Sequence, residues 1–355
     1  MRAMRWWLVV LLGGCSGAPA KKLPQPYSET AFDSVAISSH SEDPNFQNAY
    51  AQVDFHDAPF SAATLVVDLS SPCYPFDNWA SDAPPSGQSW PADCDAFDRN
   101  FEITIEDDTP DDAIELMRAI TPFGGPEHQE IDITDVANGL PGAHTLRVNI
   151  PTYSDGAGMV SGSHGQWTVN ATLMMTPGPA PRTVLAVQPL FNLSQQAGSP
   201  PPVAQIQVPA GTVSSRIEYR ATGHGGAMDP SRSCIGPAEE FCKRTHHVLL
   251  DGSELMPGLI PWRTDCSTLC TPATFKFPAG NTIDYCMENP CGATSSVKAP
   301  RANWCPGSLT PPLTWDGPID DGGDSGGTHA FTYAIDGEFA GGVWRLSAVY
   351  FAFGS

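Results

Sequence analysis

Polar and apolar residues alternate along short runs of this chain, and turn residues bound each run. Residues 51–55, 64–69, 101–105, 131–134, 145–150 and 167–173 all show the pattern, either as strict alternation or as β-branched stretches. A period of two puts one face of a strand in a core and the other in water, the habit of antiparallel sheets. No segment sustains a 3.6-residue apolar period. A single helical turn is expected over residues 111–117.

The run Thr176-Pro-Gly-Pro-Ala-Pro-Arg182 interrupts this series, because closely spaced prolines stiffen the chain and cannot occupy a central strand. A second series follows at 183–187, 204–208, 215–219, 246–250, 329–333 and 344–352, with an irregular, cysteine-pinned insertion over 266–304. The chain is therefore expected to be all-β, with one domain over 31–180 and another over 181–355. A length of 355 residues agrees with two domains of roughly 150 residues each. The 33 glycines and 35 prolines favour many short strands and turns over long helices.

Composition removes one class of partner. With 18 basic against 39 acidic residues, the chain lacks the clustered cations that nucleic-acid phosphates require. The first fifteen residues combine a basic start, an apolar run too short to span a bilayer, and Leu12-Gly-Gly-Cys15. They read as an export signal ending in a lipoprotein box, with Cys15 lipidated as a membrane anchor and 16–30 as a tether. An ordinary signal cleaved after Ala18 or Ala20 is the alternative. The expected location is the outer membrane as a lipoprotein, or the periplasm or medium. Export permits disulfides. Apart from Cys15 there are nine cysteines, so at least one is unpaired. Cys266-x3-Cys270 and Cys286-x4-Cys291 loosely resemble zinc-ligand spacings, but disulfides are expected instead.

Two cysteine-flanked loops carry the candidate chemistry. Cys234-Ile-Gly-Pro-Ala-Glu-Glu-Phe-Cys242 can close into a small loop at the rim of a sheet, fixing Glu239 and Glu240. In the first half, Cys94-Asp-Ala-Phe97-Asp98-Arg99 precedes a strand, and a bridge to Cys73 would brace it. Arg301-Ala-Asn-Trp304-Cys305-Pro-Gly307 joins a guanidinium fork to an indole, which suits sugar hydroxyls and a pyranose face. The bland alternatives are a surface ion pair at Asp98-Arg99 and a cross-linked turn around a half-buried Trp304. Gly323-Asp-Ser-Gly-Gly327 copies a serine-protease nucleophile segment, but no partnering histidine motif accompanies it. It reads as a loop. His246 and His247 are adjacent on a strand and so point to opposite faces, which disfavours a copper site.

Together these motifs resemble the peptide-N-glycosidase F family over residues 31–352. The resemblance rests on Cys94-Asp-Ala-Phe-Asp98-Arg99, Ile120-Thr-Pro-Phe123 with Glu130-Ile-Asp-Ile-Thr-Asp135, Gly223-His224 through Asp229 and Arg232, Glu240-Phe-Cys242 with Arg244-Thr-His246, and the Arg301–Gly307 segment. It implies two eight-stranded antiparallel jelly-rolls packed side by side, with a cleft between them. It further implies hydrolysis of the amide joining an N-linked glycan to asparagine, without cofactor or metal, by a monomer acting on glycosylated peptides or proteins. Matched by position, Asp98 is the principal catalytic acid and Glu240 the second, while Glu239 is left to solvent. Phe97, Arg99, His224, Phe241, Arg301 and Trp304 fall in the cleft or on its rim.

Departures from the family pattern are equally specific. A third family acid falls on Pro151, with Asp155 the nearest acid, and family tryptophans become Phe97, Phe241 and Thr222. A smaller aromatic platform implies either a different glycan or a glycan-binding surface lipoprotein that no longer cuts.

Overall fold

A computed structural model describes residues 25–56, 59–73, 84–106, 112–153, 155–226, 234–276, 280–319, 326–337 and 341–355. Cys15, residues 16–24 of the expected tether, Asp229, Arg232 and residues 323–325 of the protease-like segment lie outside them.

The first half contributes β1 (Tyr27–Ser38), β2 (Asn48–Asp54), β3 (Phe60–Ser70), β4 (Asn100–Glu106), β5 (Ile114–Ile120), β6 (Glu127–Asp132), β7 (Ala143–Asn149) and β8 (Gln166–Pro177). The second contributes β9 (Val184–Gln196), β10 (Ala204–Val208), β11 (Ser214–His224), β12 (His246–Leu250) and β13 (Ser253–Glu254). After these come β14 (Pro272–Lys276), β15 (Thr282–Cys286), β16 (Ser308–Leu309), β17 (Leu313–Gly317), β18 (Gly327–Ile335) and β19 (Val343–Phe353). Sheets β1-β8-β3-β6 and β16-β5-β4-β7-β2 form one sandwich. Sheets β10-β18-β12-β13 and β17-β11-β19-β9 form the other. All the strand pairs are antiparallel.

Alternation builds the outer sheets as expected. In β3 and β8, Leu65, Val67 and Leu69 share one core with Trp167, Val169, Ala171 and Leu173, while intervening positions are more exposed. β1 begins at Tyr27, inside the stretch expected to be a tether, and pairs with β8 from its first residue. The helical turn expected over 111–117 is instead β5, whose seven residues are all buried. Its pattern misleads because one face meets its own core and the other meets the second sandwich, so Glu115 and Arg118 are charged yet enclosed.

That second face is the seam between the sandwiches, where an ionic network runs beside apolar contacts made by Val187, Val349, Phe351 and Phe353. Arg118 donates to both Glu115 oxygens at 2.7 Å, to Thr222 Oγ1 and, at 2.6 Å, to the Arg345 carbonyl across the seam. Arg345 in turn forks onto Glu102 at 2.6 and 2.8 Å, and Ser347 donates to Glu115. Burial alone would raise the Glu102 pKa, but the Arg345 and Arg118 charges overcome it and hold the carboxyl well below the usual range.

The other expected ligand and bridge positions resolve simply. Cys73–Cys94, Cys234–Cys242, Cys266–Cys305 and Cys270–Cys286 are disulfides, and Cys291 is a buried free thiol. Of the four cysteines in the zinc-like spacings, Cys266, Cys270 and Cys286 are bridged and Cys291 is free.

Removing one member of a buried ion network leaves its partners charged and unsolvated. Arg118→Met is expected to destabilise the fold by about 3–5 kcal/mol in urea unfolding. A loss below about 1 kcal/mol, the range of exposed pairs, would show that the seam does not depend on these charges.

Candidate active site

At one end of the seam lies a cleft of about 400 Å³, walled by Asp98, Asn100, Asn149 and Pro151 from the first sandwich and by Ser194, His224 and Arg345 from the second. Two acidic loops, one lining this cleft with Asp98 and one carrying Glu240, are fixed by different means.

The Asp98 loop is held from below. Cys94 is bridged to Cys73, and the next residue, Asp95, is fully buried. Asp95 accepts from Arg99 at 3.1–3.3 Å and from the Trp167 indole at 3.2 Å. A β-carbon at Gly165 would stand 2.6 Å from the Asp95 nitrogen, so only glycine lets the strand approach. Thr121 closes the loop: its hydroxyl donates to the Phe97 carbonyl and accepts from the Arg99 amide, both at 2.8 Å. Arg99 thus serves Asp95 and stacks on Phe97, with its carbon 4.8 Å from the ring centroid, while still lining the cleft. Phe97 is 38% exposed.

The Glu240 loop is held from behind. Inside the Cys234–Cys242 ring, the Ile235 amide donates to Phe241 O, and residues 239–241 form a 3-10 turn. Glu239, expected in solvent, is the buried acid: only 2% exposed, it receives Arg244 at 2.7 and 2.8 Å and the Trp344 indole at 2.9 Å. That anchor turns Glu240 outward. Glu240 accepts from Arg301 at 2.6 Å and keeps a side chain 19% exposed. Arg301 is itself fully buried between Phe241 and Trp304, 4.7 and 4.4 Å from their centroids, and donates to Ser296.

Trp304, expected on the rim, is wholly buried, and its indole donates to Gly223 O. It reaches the cleft only through neighbours, stacking on His224 at 5.4 Å and supporting Arg301. Burial, aided by the nearby Arg118 charge, pushes the His224 pKa down to about 3, so its ring is neutral near pH 7. Asp155 is not brought to the cleft. Its carboxylate caps its own turn, accepting from the amides of residues 157–160 at 2.8–3.0 Å, and these bonds hold its pKa down to about 2. The wall where a third acid was sought is Pro151.

The electrostatics single out Asp98. Burial raises its pKa first and the Glu240 charge second, against Arg301 and Arg99, bringing it to about 7. The carboxyl is therefore half ionised near neutrality, poised to accept or return a proton. Asp95, Thr121, Asn100 and Arg345 belong to this site and were not anticipated. Only Asp95 left a local trace, its four-residue spacing to Arg99.

Comparison with known proteins agrees with this architecture. Residues 194–349 match the family model described as peptide-N-glycosidase F, C terminal. The chain is 26% identical over 234 residues to peptide-N(4)-(N-acetyl-beta-D-glucosaminyl)asparagine amidase F of Elizabethkingia miricola, spanning 61% of this chain and 57% of that relative. The solved structure of PNGase F from Flavobacterium meningosepticum, titled a glycosylasparaginase, superposes with a TM-score of 0.65 at 18% identity, covering 93% of this chain and 96% of its own. That of PNGF-II gives 0.64 at 19% identity, covering 92% and 66%. The fold is that of these solved structures, and residues 194–349 are similar to the C-terminal part of the peptide-N-glycosidase F family.

Because an adjacent negative charge raises an acid's pKa, Glu240→Gln is expected to lower the Asp98 pKa from about 7. Carboxyl-carbon NMR titration of the two proteins measures it. The linked sign is definite: the unfolded chain releases this proton near the ordinary aspartate value and the native chain near 7, so stability falls as pH rises between them. Asp98→Asn should remove this contribution, read as a smaller drop in melting temperature between pH 4 and 7 than the native protein shows, Glu127 supplying a fall of the same sign in both.

Proposed function

We propose that this protein hydrolyses the amide bond between an N-linked glycan and asparagine, in glycopeptides or glycoproteins. The observation that carries the proposal is one acid with a near-neutral pKa, Asp98, lining a cleft between two sandwiches and close enough to the arginine-held Glu240 to feel its charge. Similarity to a relative that is an asparagine amidase suggests the reaction class.

In the proposed reaction the Asp98 carboxylate takes a proton from water as the oxygen attacks the side-chain carbonyl carbon. The tetrahedral intermediate then collapses with cleavage of the C–N bond, and the Asp98 proton passes to the departing nitrogen. The products are a glycosylamine and a peptide aspartate. Glu240, immobilised by Arg301, accepts from hydroxyls of the proximal sugar and keeps Asp98 basic enough for the first step. Phe97 is the exposed apolar surface on which a sugar face can rest. With Pro151 where the family has an acid, the proposed mechanism relies on two acids. The four disulfides suit an oxidising compartment, in keeping with export; anchoring through Cys15 is the accompanying proposal.

Asp98→Asn is expected to lower kcat by about 10²–10⁴-fold, the usual worth of general acid–base catalysis. Glu240→Gln should reduce kcat and also shift the acid limb of the pH–rate profile to lower pH. Mass spectrometry of a glycopeptide follows both, through conversion of Asn to Asp. Retention of full activity by the two variants would rule the mechanism out, and binding without conversion by the native protein would mark a glycan-binding module.

A further inference from the structure

A second cavity, of about 670 Å³, opens along the same seam, where β11 passes β5 and the segment 132–136. Its wall carries Arg216, Glu218 and Arg220, which alternate onto one face of β11. That strand continues to Thr222 and His224, so cavity and catalytic cleft are neighbours on one scaffold with separate linings.

Arg220 is the anomaly. It is only 4% exposed, and its single ion pair is Nη2 to Glu218 at 3.3 Å. Its Nε and Nη1 are buried without a hydrogen-bond partner, which leaves three N–H donors unspent. Arg216 Nε, 3.1 Å from Glu218, also lacks hydrogen-bond geometry. Native proteins rarely leave buried charged donors unsatisfied, because each loses its hydration for nothing.

The acids lining the cavity answer this need only in part: Glu218 pairs with Arg220 Nη2 and lies beside Arg216 Nε, but leaves Arg220 Nε and Nη1 without a partner. Glu115 is engaged by Arg118, and Asp135 is shared by Arg182 and Arg216. Asp132 accepts from the Thr134 amide and hydroxyl. The unspent donors therefore call for an oxyanion from outside. A bare ion would fill little of the space, which falls in the usual range for small-molecule sites. The remaining lining includes Ser61, Thr64 and Asp132, which can exchange hydrogen bonds with hydroxyl groups.

We infer that this cavity binds a sugar carrying a carboxylate or phosphate, its oxyanion on Arg220 and Arg216 and its hydroxyls on the acidic and hydroxylated wall. The site is distinct from the catalytic cleft and independent of turnover.

Isothermal titration calorimetry with glucuronate and with glucose 6-phosphate tests it, using glucose and inorganic phosphate as controls. At least one acidic sugar is expected to bind saturably to the native protein and to Asp98→Asn alike, and at least tenfold more weakly to Arg220→Met, about 1.4 kcal/mol. Which of the two binds identifies the anion. If Arg220→Met does not fold, ¹⁵N spectra of the arginine Nε–H groups in the native protein replace it: added ligand should shift at least two of these signals. Absence of saturable binding overturns the proposal, as does equal binding by glucose or by Arg220→Met. Binding of inorganic phosphate as tight as that of either sugar would reduce the cavity to an adventitious ion site and overturn it too.

Discussion

The seam between the two sandwiches is held by guanidinium–carboxylate contacts shut away from water, and the rest of the structure depends on them. Arg118 is the pivot, bound to Glu115 on its own strand and to the Arg345 carbonyl on the far side. The apolar contacts beside this network, made by Val349, Phe351 and Phe353, are non-directional and set no register by themselves. The ionic network cannot slide by a residue, because every displaced charge would stay buried and unpaired. The two sandwiches therefore meet in one register. Since each carries one acidic loop, that register sets the separation of Asp98 and Glu240.

The two loops show how adjacent residues with the same chemistry acquire opposite fates. Glu239 and Glu240 follow one another in a 3-10 turn, yet one is an internal strut and the other is partly exposed and held by Arg301. Arg244 and Trp344 make the distinction by claiming Glu239. In the other loop Asp95 and Asp98 divide the same labour: Asp95 is tied down by Arg99 and Trp167, and Asp98 is left with its charge opposed by burial and by Glu240. In both cases a sacrificial neighbour positions the acid that matters, so the proposed reactive groups need few hydrogen bonds of their own.

These distinctions also mark where the sequence was readable. Strands with one wet face, such as β3, β8 and β10, follow the alternation closely. β5 does not, because both its faces are covered and its charges are paid for by partners from distant parts of the chain. Trp304 and Glu239 failed for the same reason: their burial is decided by Gly223, Arg244 and Trp344, none of them local. The pairing Cys73–Cys94 was legible from its loop, and the proposed Asp98–Glu240 pair comes from the ordered series of motifs that resemble one family. Arg345 and the second cavity were invisible, since they exist only after the sandwiches dock.

One small element bears on how this chain can be divided. β16, only Ser308–Leu309, leaves the second half to lie along Ala119 and Ile120 of β5, with Gly307 and Thr310 amides donating to the first-half backbone on either side. The first sandwich therefore finishes its sheet with a splint borrowed from a segment almost two hundred residues downstream of β5. Cut at the proline-rich junction near residue 180, the amino-terminal half would expose the edge of β5 as an unpaired row of amides and carbonyls, a template for self-association. The halves look modular in outline but share a stitch, and evolutionary exchange or laboratory grafting of either half would have to carry that stitch along.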